Sequence, residues 1–131
     1  MSFNNGIYFD GSLVANGTPY FGEESSGTIL ITLRPDAQGT ATSVKLIDGG
    51  GLDIYLDFDG SGSYVVRAKT SAGNELSSAS LQTAVETTFA VRYHATNGEI
   101  EILSEAGTQS VSNLPAWTTP TSSGEVGSGY E

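Results

Sequence analysis

Cysteine is absent from the 131 residues, histidine occurs once, at His94, and basic residues are scarce: five Lys and Arg stand against fifteen Asp and Glu, a formal net charge of −10. Each shortage removes a class of function. Without cysteine there is no disulfide framework, thiolate zinc site or thiol nucleophile. A single imidazole excludes any site that needs two. An acidic chain has no basic face for phosphates, so nucleic acid is not an expected partner. No stretch approaches the ~18 consecutive apolar residues of a membrane-spanning helix, so no membrane partner is expected. Met1 to Gly6 shows no basic segment followed by an apolar run, so we expect no secretory signal. The lack of cysteine agrees with a cytosolic birthplace.

What is present is alternation with a period of two. Leu52, Ile54, Leu56 and Phe58 fall on one side of an extended chain, with Asp53, Tyr55 and Asp57 on the other. Tyr64, Val66 and Ala68 alternate with Val65, Arg67 and Lys69, and Phe89, Val91 and Tyr93 with Ala90, Arg92 and His94. Thr28–Arg34 and Glu99–Ile102 follow the same rule, and Ile7–Phe9, Val44–Ile47 and Thr108–Val111 are shorter candidates. Between the runs lie turn formers: Pro35–Gly39, Asp48–Gly51, Asp59–Gly62 and Asn97-Gly98. The last of these predicts a tight hairpin. The one stretch compatible with a helix is Ser77–Glu86, and it is rich in Ser and Thr. Many short, half-polar strands with frequent turns predict an all-β, antiparallel two-sheet jelly-roll sandwich. We expect one sandwich domain over residues 1–114 and a Gly/Ser/Thr/Pro-rich, irregular C-terminal arm over 115–131. Within the arm, Pro115, Trp117 and Tyr130 are candidates for docking, with Trp117 anchoring on its own core or on a neighbour.

Several of these segments resemble a known family. Thr28–Pro35, Val44–Gly50 followed by Leu52–Leu56, Thr88–Leu103 and the opening Ile7–Ser12 together are similar to concanavalin A-like, laminin-G-like jelly rolls, over roughly residues 6–112. The resemblance implies a two-sheet jelly roll with loops that often hold calcium. It also implies a closing strand that runs back beside the first. Gly124–Tyr130 could only begin that closure, so we expect the strand to be missing, or its edge to be filled by a partner. Jelly rolls of this kind recur in tailed-phage structural proteins.

Three constellations could carry chemistry. Asp57, Asp59 and Ser61, with Gly62, match the first half of a calcium loop. The closing glutamate would fall on Ala68, so the loop needs help from Asp48 or Asp53; otherwise it is an acidic hairpin tip. Glu99, Glu101 and Glu105 would share one side of a strand, as the paired carboxylates of jelly-roll β-glucanases do. Here, however, the spacing is too long, and Trp117 is the only tryptophan, where a sugar cleft is lined with aromatics. A solvated strand face explains all three. Tyr55, Tyr64 and Tyr93, with Asp53, are the glycan-contact candidates, since aromatic faces stack on sugar rings and carboxylates bond their hydroxyls. Tyr8, Tyr20 and Phe21 are further aromatics, cross-strand packing is the competing explanation, and His94 reads as a surface residue beside a turn.

The expected function is therefore non-enzymatic and without a cofactor. The first expectation is a virion surface protein, a capsid decoration or fibre module. It would be made in the host cytoplasm, form homo-oligomers, and dock on capsid or other virion subunits through its arm, with some contact to host glycan. The alternative is an extracellular, lectin-like carbohydrate-binding module, calcium-dependent or not. A β-glucanase-like hydrolase is a distant third.

Overall fold

A computed structural model describes residues 26–49 and 51–117, and the main chain of 15–17 and 124–126. The strands, in chain order, are β1 Ala15–Gly17, β2 Ser26–Leu33, β3 Ala41–Asp48, β4 Leu52–Asp59, β5 Ser63–Thr70, β6 Glu75–Ser77, β7 Leu81–Gln82, β8 Thr87–His94, β9 Glu99–Ser104, β10 Gly107–Val111 and β11 Gly124–Val126. They form two antiparallel sheets, one of seven strands ordered β1-β11-β3-β4-β5-β6 with β7 also on β5, and one of four ordered β10-β9-β8-β2. Among the described strands, β1 lies in the larger sheet, β2 in the smaller, β3–β7 in the larger, β8–β10 in the smaller and β11 in the larger. The fold is all-β, a two-sheet jelly-roll-like sandwich.

The alternation does the sorting. On β4, Leu52, Ile54, Leu56 and Phe58 are buried and the residues between them half-buried. The same holds for Tyr64, Val66 and Ala68 on β5, for Phe89, Val91 and Tyr93 on β8, and for Ile100 and Ile102 on β9. These inward rows from both sheets make one core, each large side chain contributing about 1.5–3 kcal/mol by leaving water. On β3 the register slips between Lys45 and Ile47. This bulge opposes an extra residue to β4, which buries both Leu46 and Ile47 while Lys45 stays outward.

Four expectations change. Ser77–Glu86 is not helical; it lies along β5. The Ser78 hydroxyl accepts from Val66 N at 2.9 Å, and Thr83 N donates to Gly62 O at 3.0 Å. Ser and Thr here bond to neighbouring main chain, the competition that disfavours helices. The β8–β9 link is four residues, Ala95–Gly98, rather than a two-residue hairpin, because His94 pairs with Glu99. Gly98 has φ 69°, and a Cβ there would sit 2.0 Å from Leu114 O, so the C-terminal segment passes directly over this turn. Glu105 leaves the strand for the β9–β10 turn, so it does not share a side with Glu99 and Glu101. Finally, Gly124–Val126 pairs with both Ala15–Gly17 and Asp48–Ile47. The closing strand is thus supplied by the chain itself, from a segment too short to show alternation. The Ile7–Phe9 candidate, Tyr8, Tyr20, Phe21 and Tyr130 lie outside the described residues.

Candidate functional site: two outward faces

The outward face of the larger sheet carries Tyr55, Asp53 and Asp57 on β4, Lys45 on β3, and Arg67 and Lys69 on β5. Arg67 stands opposite Tyr55 in the register. Its Nε donates to Asp57 Oδ2 at 2.7 Å and its Nη2 to Asp57 Oδ1 at 3.1 Å, a two-pronged pair. It also donates to Glu75 Oε1 and to the Ser43 hydroxyl, both at 3.1 Å, while Ser43 donates to Asp57. Lys45 lies 3.4 Å from Asp48 and 3.5 Å from Asp53. Asp53 in turn accepts from Gly49 N at 3.2 Å.

The pKa values follow from this lattice. Burial alone would raise the Asp57 carboxyl, but the hydrogen bonds from Arg67 and Ser43 outweigh it, and the net shift is downward. Burial pulls Lys45 down, yet Asp53 and Asp48 hold it above the usual value. The Tyr55 ring lies between the two cations, with the Arg67 guanidinium 4.2 Å and the Lys45 ammonium 5.6 Å from its centroid. A sugar could stack on Tyr55 only by displacing a cation that is itself held by carboxylates.

The other sequence candidates separate. Tyr64 and Tyr93 are 1% and 4% exposed, so neither offers a ring to a glycan. Tyr64 packs on Phe58 with centroids 5.7 Å apart, and burial pushes its phenol above the ordinary value. Both sit on the inward rows with Val66 and Val91, where alternation already puts them. Asp59 accepts from Ser61 N at 2.7 Å and Ser63 N at 3.0 Å, which lowers its pKa. Asp57, Asp59 and Ser61 therefore divide between an arginine and a turn. Among the described residues no group of three or more His, Asp or Glu is placed to hold a metal. Trp117 is buried in the chain's own core, because the segment from Leu114 folds back over Gly98. Pro115 is exposed.

A concave feature lies on the opposite sheet, where the sequence suggests no glycan-contact residue besides the buried Tyr93. A groove of ≈ 470 Å³ crosses all four strands at the end marked by His94. Its centre is formed by Arg92 and His94 of β8, facing Glu101 and Glu99 of β9. Arg92 bonds Glu101, and His94 Nδ1 accepts from Asn97 N at 3.3 Å. Hydroxyls stand on both rims, Ser26 and Thr28 from β2 and Ser110 and Ser112 at β10. The inward residues Gly27, Tyr93, Ile100 and Val111 alternate with these and complete the lining. The sequence carries part of this signal: Arg92, His94, Glu99 and Glu101 share an outward face. Ser26 and Ser110 join them only through the register Ser26↔His94 and Ser110↔Glu101.

No family model and no curated protein matches the chain. Among solved structures it is similar to a polysaccharide lyase family 18 protein, aly-SJ02, at 11% identity and TM-score 0.42. It is also similar to an alginate lyase from Alteromonas sp. 272, at 14% identity and TM-score 0.40. Each match covers 76% of this chain and 48% of the other, so this chain spans about half the length of those proteins. The similarity is one of β-sandwich fold alone.

Proposed function

We propose that this protein is a non-enzymatic binding module that holds a hydroxyl-rich ligand, a glycan, in the groove across the four-stranded sheet. The groove carries the reading: its volume lies in the range of ligand sites, roughly 300–1,000 Å³. Its rims supply hydroxyls and its centre supplies the charged donor and acceptors that fix a saccharide's orientation. Binding is the whole mechanism. A non-enzymatic reading is supported by Glu101 being engaged by Arg92 and by Glu105 lying outside the strand. The outward face of the larger sheet is a stabilising lattice rather than a sugar platform. A glycan array run with and without calcium, followed by titration calorimetry on the hits, tests this. Arg92→Ala should weaken binding about tenfold, Tyr55→Ala should not change it, and calcium should make no difference. Loss of binding in Tyr55→Ala with Arg92→Ala unaffected would place the site on the other sheet.

A second reading is docking on subunits of a virion, as a capsid decoration or fibre module. It is favoured by Leu30, 71% exposed in the middle of the charge-free strand SGTILITL, and by the resemblance to laminin-G-like jelly rolls of tailed-phage proteins. The docking surface would then be the outer row Leu30, Ala90 and Leu103, in place of an arm anchored by Trp117. Retention of Leu30→Lys on particles at the wild-type level would remove this reading.

A further inference from the structure

Resting on the assignment of the groove as a glycan site, we infer that it selects saccharides bearing a protonated amine, glucosamine-type oligosaccharides, over neutral and acidic ones. The argument is one of charge. Among the described residues, Arg92 is the only Lys or Arg lining the groove, and it is paired with Glu101. Glu99 is exposed, and among the described residues its carboxylate makes no ion pair or hydrogen bond. Among the described lining residues, Glu99 is therefore a carboxylate with no Lys or Arg partner, on a chain whose net charge is −10. An acidic sugar would need a free cation and would meet repulsion. A neutral sugar finds the rim hydroxyls but leaves Glu99 to water. An amino sugar finds both, because an ammonium bonded to Glu99 makes a charge-assisted hydrogen bond, and the field of the whole chain draws it in. The span suits an oligomer: three strand spacings from β10 to β2 are about 14 Å.

The test is titration calorimetry on the full chain with three probes: triglucosamine, its fully N-acetylated counterpart, and an oligomannuronate. Triglucosamine should bind several-fold more tightly than the acetylated trimer, and oligomannuronate should not bind. Raising salt from 0.05 to about 1 M should erase the preference, as exposed charge interactions are screened. Glu99→Gln should weaken triglucosamine about threefold and leave the acetylated trimer unchanged. Asp36→Asn, which removes the same charge from an exposed loop away from the groove, should change neither. Equal binding of the two trimers, or an equal effect of Asp36→Asn and Glu99→Gln, would overturn the amine preference while leaving the glycan site standing. Failure of all three probes, with no other array hit, would overturn both.

Discussion

The two outward faces of the sandwich carry similar residues in opposite states. On the larger sheet, Arg67 is 19% exposed and bonded to Asp57, Glu75 and Ser43. On the smaller sheet, Arg92 is 61% exposed and, among the described residues, bonded to Glu101 alone. The first is a lattice whose members fill one another's hydrogen-bonding capacity, with Tyr55 held between two cations. The second is an open pair in a groove with hydroxyl rims and a Glu99 that is unengaged among the described residues. Partial burial with several partners makes a charge structural, whereas exposure with spare donors and acceptors makes it available to a ligand.

The largest test of that contrast is a pair of arginine removals. Arg67→Ala should cost about 2–3 kcal/mol in urea unfolding, because it strands the half-buried Asp57 carboxylate; Arg92→Ala should stay within about 0.5 kcal/mol. Equal losses would break the comparison. Next comes Gly27→Ala, beneath the groove. The new methyl would lie 3.0 Å from the Tyr93 hydroxyl, and Tyr93 is 4% exposed, so it has little room to yield. A loss of about 1–2 kcal/mol is expected, together with weaker ligand binding as the groove deforms.

A smaller effect should appear with pH. The folded Asp57 carboxyl lies below its unfolded value, so its contribution to stability is present above about pH 4 and is lost as pH falls through the lower folded value. Unfolding midpoints of Asp57→Asn measured from pH 6 to 2 should therefore fall less steeply than those of the wild type. An unchanged slope would mean that the lattice does not depend on that charge. The smallest effect belongs to Leu30→Thr, which should leave stability within about 0.5 kcal/mol because Leu30 is 71% exposed. It should reduce any concentration-dependent association seen by sedimentation.

Inside and outside are legible in the amino-acid order itself. The alternation in β4, β5 and β8 puts Leu56, Val66 and Val91 inward and Asp57, Arg67 and Arg92 outward. That rule also places Tyr64 and Tyr93 inward, and reading them as glycan contacts sets aromatic identity above position. Ser77–Glu86 misleads because its Ser78 and Thr83 hydroxyls find a donor on β5, Val66 N, and an acceptor in the turn before it, Gly62 O, that no local pattern reveals. Asp57 and Asp59 are two residues apart and resemble a metal pair. One turns to an arginine across the sheet and the other caps its own turn.

By itself the sequence determined the class of fold, the long strands β4, β5, β8 and β9, and the side most of their residues face. These follow from a period of two and from turn chemistry, both of which act over a few neighbouring residues. Only the tertiary structure decided which charges meet, where the chain closes and where the surface is concave. Arg67 reaches Ser43, Gly124–Val126 comes home beside Ala15–Gly17, and Ser26, Arg92, Glu99 and Ser110 line one groove. Each depends on the register between strands distant in the chain, which is set by the packing of the whole core.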